Sequence, residues 1–171
     1  MIRVLLTILA GVLLGGVYAL FALGLSLIFG IMRLVNLAHG DLILLAAYLV
    51  LSATTALGLP LVTASLLVVA AMFVLGFVLQ RLVLERVLGD DILPPLLVTF
   101  GLSIVIQNGL LLGYGADSRR LQAGAFESSS VTLAPGLSVG LAPLTALVTA
   151  IAAVALLQRS EEHTSELQSP S

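Results

Sequence analysis

The chain has 171 residues, of which 60% are hydrophobic and 9% charged, with a formal net charge of −2, two His and no Cys. A soluble domain carries roughly 25% charged residues, so the composition is that of an integral membrane protein. Disulfides and thiolate metal sites are excluded, two His exclude most metal clusters, and seven Arg with no Lys cannot build a basic face for nucleic acid.

The first apolar run covers residues 4–32. A secretory leader has an apolar region of roughly 7–15 residues, so this run reads as a first membrane span, residues 4–29, rather than a removed leader. Its small residues are ordered. Gly11, Gly15, Ala19, Ala22, Ser26 and Gly30 follow at steps of four, four, three, four and four. Such steps keep to one side of a helix. In lipid, where apolar burial gives no drive, a row of small residues lets another helix approach closely, so this row is a candidate packing face.

A polar knot, Asn36-Leu37-Ala38-His39-Gly40-Asp41, follows and is expected at a membrane face. The second span is residues 42–57, and Gly58-Leu59-Pro60 is a turn from which Pro can open a helix. The third span is residues 61–79, followed by a charged loop with Arg81, Glu85, Arg86, Asp90 and Asp91. Pro94-Pro95 opens the fourth span, which reaches Tyr114. A Gly- and Ser-rich polar segment, residues 115–140, carries Arg119, Arg120 and Glu127, and residues 141–157 form the fifth span. No internal repeat is present. The expected fold is an all-α polytopic bundle of about five transmembrane helices. Orientation does not follow from charge: Arg33, Arg81 and Arg86 lie on one face, and Arg3, Arg119 and Arg120 on the other.

His39 and Asp41 lie two residues apart, about 200° around a helix, and are no obvious acid–base pair. Asn36 or Asp41 can cap the helix that follows, meeting N–H groups that lipid cannot satisfy. Alternatively the knot, with Asn36, His39 and Asp41, lines a pathway or gate, as intramembrane ionisable groups commonly do. Thr99, Ser103 and Gln107, spaced by four, share a face of span four, with Asn108 beside them. They suit either interhelical hydrogen bonds, about 0.6 kcal/mol each, or a pore wall of neutral groups that does not hold its cargo tightly. No catalytic residues, metal ligands or cofactor site can be assembled. A phosphate-binding Gly-rich loop ending in Lys is excluded by the lack of Lys.

Several of these motifs occur together, in order, over residues 10–120. They are Gly15-Gly16-Val17-Tyr18-Ala19-Leu20, Gly24-Leu25-Ser26-Leu27, Gly30 and the knot from Asn36 to Asp41, then Ala47-Tyr48, Glu85-Arg86, Thr99-Phe100-Gly101-Leu102-Ser103 and Gln107-Asn108. In this the chain resembles the permease subunits of ABC importers for branched-chain amino acids. One departure is Gly89-Asp90-Asp91, where members often carry a basic stretch. The resemblance implies a multi-pass subunit of the bacterial inner membrane, surrounded by lipid, with no cofactor of its own. It would work with a second permease subunit, cytoplasmic ATP-binding subunits and a periplasmic or lipoprotein substrate-binding protein. The cargo would be a branched-chain amino acid or a related small amide such as urea. It further implies that residues 80–91 and Gln158 face the cytoplasm, that residues 115–140 face outward, and that members are nearly twice as long. A stand-alone channel or facilitator for a small neutral solute is the alternative, and an intramembrane enzyme a third class for which no site exists.

Residues 159–171 break the pattern. From Arg159 to Ser169 they resemble, residue for residue, the translation of a common sequencing-library adapter. The expectation is a natural transmembrane permease segment at residues 1–158, its N-terminal part cut short at Gln158, and a foreign tail at residues 159–171. Without that tail six Arg face six acids.

Overall fold

The computed structural model describes residues 2–87, 89, 91–117, 119, 130–134 and 137–166. Asp90, Arg120 and Glu127, singled out above, lie outside these residues. Helices α1 (Ile2–Met32), α2 (His39–Ala56), α3 (Leu61–Leu82), α4 (Leu93–Tyr114) and α5 (Leu141–Glu166) account for most of the described chain. A 3-10 turn, Leu84–Arg86, follows α3, and strands β1 (Ser130–Ala134) and β2 (Leu137–Gly140) precede α5. Among the described residues, all five helices are long and apolar enough to cross a membrane.

The chain divides into two compact units, residues 1–24 with 122–171, and residues 25–121. In the first, α1 and α5 meet where Gly16 is buried. A Cβ placed on Gly16 would stand 2.9 Å from the Cα of Leu147, so only a residue without one allows this approach. Apolar clefts of about 400 and 460 Å³ flank the crossing, one lined by Val12, Gly15, Ala19, Ile151 and Val154, the other by Ala10, Leu14, Val17 and Pro143. Strands β1 and β2 pair antiparallel, Val131 opposite Val139, with an irregularity between Thr132 and Ala134. Val139 is buried while Val131, its partner across the pair, is exposed. This hairpin lies within the Gly- and Ser-rich polar segment.

In the second unit, α2 packs on both α3 and α4. Ala53 of α2 and Ala64 and Val68 of α3 are buried, small side chains that allow close helix contact in lipid. The core against α4 is Ala38, Ile106 and Leu110, surrounded by Leu42, Leu45, Tyr48, Leu102 and Tyr114. Pro60 precedes α3, and its carbonyl accepts the Ala64 N–H at 2.9 Å. Proline in the first turn of α4 loses no intrahelical bond there. Outward-facing side chains are apolar: Leu112 is 88% and Phe73 76% exposed, a surface suited to lipid or to other helices rather than water.

Helix α1 stops at Met32, and Arg33 takes a left-handed backbone (φ 52°) whose N–H bonds the Phe29 carbonyl at 2.9 Å. That position at a helix end is usually glycine. Residues 33–38 are then non-helical until α2 starts.

Candidate functional site

The site is built where α2 and α4 run side by side in the same direction. Leu37 meets Thr99, Asp41 meets Ser103 and Gln107, and Ser52 meets Tyr114, a nearly constant offset along both helices. Because Ser103 is the eleventh of 22 residues in α4, the knot lies beside the middle of that helix. With a rise of 1.5 Å per residue, Asp41 stands about 15 Å from the Leu93 end of α4 and about 22 Å from the Ala56 end of α2. Residues 33–38 lead to that contact, with Leu37 at Thr99 and Ala38 packed with Ile106 and Leu110.

Non-helical backbone packed against a membrane helix needs protein groups to satisfy it. Leu34 and Ala38 are buried. The Leu37 N–H donates to Thr99 Oγ1 at 3.3 Å, the Ala38 N–H to Asn36 Oδ1 at 3.0 Å, and the His39 N–H to the Asn36 carbonyl at 3.3 Å. Thr99 is fully buried, and its own hydroxyl donates to the Leu96 carbonyl at 3.1 Å. Thr99→Val keeps the shape but removes the acceptor for Leu37. It should therefore destabilise the protein by up to about 1–3 kcal/mol, the penalty of leaving one part-buried N–H unsatisfied. Thermal unfolding in detergent measures this, and Thr99→Ser should restore the midpoint.

Asp41 does not cap α2. The residue at the N-cap is Ala38, with no side-chain cap bond, and the Asp41 carboxylate turns to α4 instead. Its Oδ2 accepts a short hydrogen bond from Ser103 Oγ, and its Oδ1 accepts one from Gln107 Nε2 at 3.1 Å. Gln107 Nε2 also reaches Ser103 Oγ at 3.1 Å, closing a three-residue cluster. Ser103 is buried, Asp41 half-buried and Gln107 exposed, so the cluster opens to the surface of this unit. Asn36 serves the turn before α2 rather than the helix itself.

Thr99, Ser103 and Gln107 thus share one face, and that face is turned to α2. Asn108 is not with them: its Nδ2 donates to the Ile104 carbonyl at 2.8 Å on its own helix. His39, half-buried in the first turn of α2, engages the Asn36 carbonyl through its backbone. At the far end of the α2–α4 contact, the Tyr48 and Tyr114 ring centroids lie 4.5 Å apart, and the hydroxyls of Tyr114 and Ser52 share a short hydrogen bond. Among the described residues, no three His, Cys, Asp or Glu side chains converge on a metal position.

In the small-residue row, Gly11, Gly15 and Gly30 have nothing within 4 Å of where a Cβ would stand. The close approach is at Gly16, one residue aside, with Gly15 and Ala19 bordering the cleft next to it. Gly16 is absent from the row because its spacing neighbours, Val12 and Leu20, are large.

Five helices long and apolar enough to cross a membrane, with a non-helical segment between the first two and a hydrogen-bonded carboxylate between α2 and α4, define a multi-pass helical membrane protein. Residues 7–161 match the family described as branched-chain amino acid transport system / permease component, and the chain belongs to that family. It is 31% identical over 137 residues to the high-affinity branched-chain amino acid transport system permease protein BraD of Pseudomonas aeruginosa, covering 74% of this chain and 41% of that protein. It is 32% identical over 114 residues to the corresponding LivH proteins of Salmonella typhimurium and Escherichia coli, covering 62% of this chain and 37% of theirs. The chain therefore spans about two fifths of the length of these curated relatives. They are permease components of transport systems. No solved structure matches the chain at a significant level.

Proposed function

We propose that this chain is part of a permease subunit of an ABC importer that moves branched-chain amino acids across the bacterial inner membrane. The observation that carries the reading is the hydrogen-bonding face of α4, Thr99, Ser103 and Gln107, joined to Asp41 at the middle of that helix. Family membership supports the substrate class. In this reading the chain is a passive conduit. A second permease subunit completes the passage, cytoplasmic ATP-binding subunits drive it, and a periplasmic or lipoprotein substrate-binding protein feeds it. The row Gly11, Gly15, Ala22, Ser26 and Gly30, exposed along α1, receives a further helix of the assembly. Residues 80–91 face the cytoplasm and the β1–β2 hairpin faces outward. Residues 159–171 are foreign, and contiguous genomic DNA encoding them would refute that part.

The test is uptake by the complete transporter that contains this sequence, in proteoliposomes. Gln107→Leu should lower leucine uptake by about tenfold, the effect of one lost polar contact with the cargo, while the amount of assembled protein stays normal. Loss of protein in proportion to loss of uptake would make Gln107 a packing residue. Uptake that ignores ATP would favour a stand-alone facilitator.

A further inference from the structure

We propose that Asp41 is the acceptor for the ammonium group of the transported amino acid, an assignment that rests on the permease reading. Three observations carry it. First, the register of α2 on α4 sets the carboxylate against the middle of α4, about 15 Å from its first residue, and ionisable groups on membrane helices commonly mark a pathway. Second, both of its hydrogen-bond partners, Ser103 and Gln107, are neutral, so the cluster fixes the carboxylate in place without balancing its charge. Third, the cluster is not closed over. Asp41 is half-buried and Gln107 exposed, and an ionised carboxylate has about four acceptor positions, of which two are used.

A primary ammonium fits what remains. It is a compact donor with three N–H groups and no acceptor, and it carries the single charge that the site lacks. Charge-assisted hydrogen bonds are roughly twice as strong as neutral ones, which suits brief selection of a zwitterion. The site remains weak enough to release it, because Ser103 and Gln107 already share the carboxylate. The non-helical residues 33–38 bring Asp41 to α4, and Thr99 and Asn36 satisfy N–H groups of that segment.

The experiment uses the complete transporter purified in detergent without its binding protein, with radiolabelled leucine as probe. Two competitors divide the leucine molecule: 3-methylbutylamine keeps the ammonium and the branched chain, and 4-methylpentanoate keeps the carboxylate. For the unaltered protein the amine should compete at least about tenfold better than the acid, the discrimination of one charge-assisted contact. Asp41→Asn, nearly isosteric and still able to accept from Ser103, should weaken leucine binding by a similar factor and erase the preference for the amine. Equal competition by amine and acid on the unaltered protein overturns the assignment, even if Asp41→Asn fails to assemble. Unchanged leucine binding by an assembled Asp41→Asn transporter also overturns it. If the unaltered transporter takes up no branched-chain amino acid in the presence of its binding protein and ATP, the permease reading itself has failed, a separate outcome.

Discussion

Gly16→Leu should separate α1 from α5. A leucine there must place its Cβ 2.9 Å from the Cα of Leu147, a contact with backbone that no rotamer relieves, and then fit three further carbons into the crossing. Even Gly16→Ala has the first of these clashes and should destabilise the pair by about 1–3 kcal/mol, the usual penalty of overpacking. Gly15→Ala is the control, since nothing lies within 4 Å of its Cβ position, and its effect should stay within about 0.5 kcal/mol. Thermal unfolding followed by size-exclusion in detergent ranks the three. Equal midpoints for Gly16→Ala and Gly15→Ala would show that the α1–α5 crossing is not held at Gly16. In the complete transporter Gly15→Leu should then also disturb assembly, if another helix occupies the open row.

Sequence reading located all five helices because each is an apolar run of span length interrupted by turn residues, and lipid demands that such runs be helical. Its boundaries erred at the polar ends. Helix α2 starts at His39 rather than residue 42, and α5 continues through Arg159 to Glu166. Polar residues there extend a helix already nucleated by its apolar part, where a polarity criterion sees only a loop. The β1–β2 hairpin was missed, although Val and Thr on either side of Pro135-Gly136 are a recognisable strand and turn signal. It was masked by the Gly and Ser around it.

The candidate site was half legible. A spacing of four put Thr99, Ser103 and Gln107 on one helical face, and that is a property of α4 alone. Which helix faces them, and at what register, depends on packing between residues some 60 positions apart. Sequence therefore could not show that Asp41 leaves the cap position for Ser103 and Gln107. Asn108 follows Gln107 in the chain but lies about 100° away around the helix, and it turns back to Ile104. In α1 the rule of small residues at steps of three and four selected Gly15 over Gly16. The observed contact needs one residue without a Cβ, not a row of them.

The second large effect comes from stripping the Asp41 carboxylate of its donors. Ser103→Ala combined with Gln107→Leu leaves the half-buried Asp41 carboxylate with neither hydrogen bond. Hydrogen bonds to a charged group contribute about 1.5–3 kcal/mol each, so losing both should destabilise the contact by about 3–6 kcal/mol. This double variant should be the most damaging polar change in the α2–α4 contact, with little protein reaching the membrane. Adding Asp41→Leu to the same background should reverse the loss. The three positions are then apolar, and an aspartate within a span is itself unfavourable, by roughly 2.5–3.5 kcal/mol at most on insertion scales. The triple variant should accumulate at least as well as the unaltered chain, yet its complete transporter should take up no leucine. Stability and passage would then move in opposite directions, as they do when a polar group is kept for function. Accumulation and uptake measured on the same membranes decide it. If the triple variant regains both, the cluster holds helices together and the passage lies elsewhere.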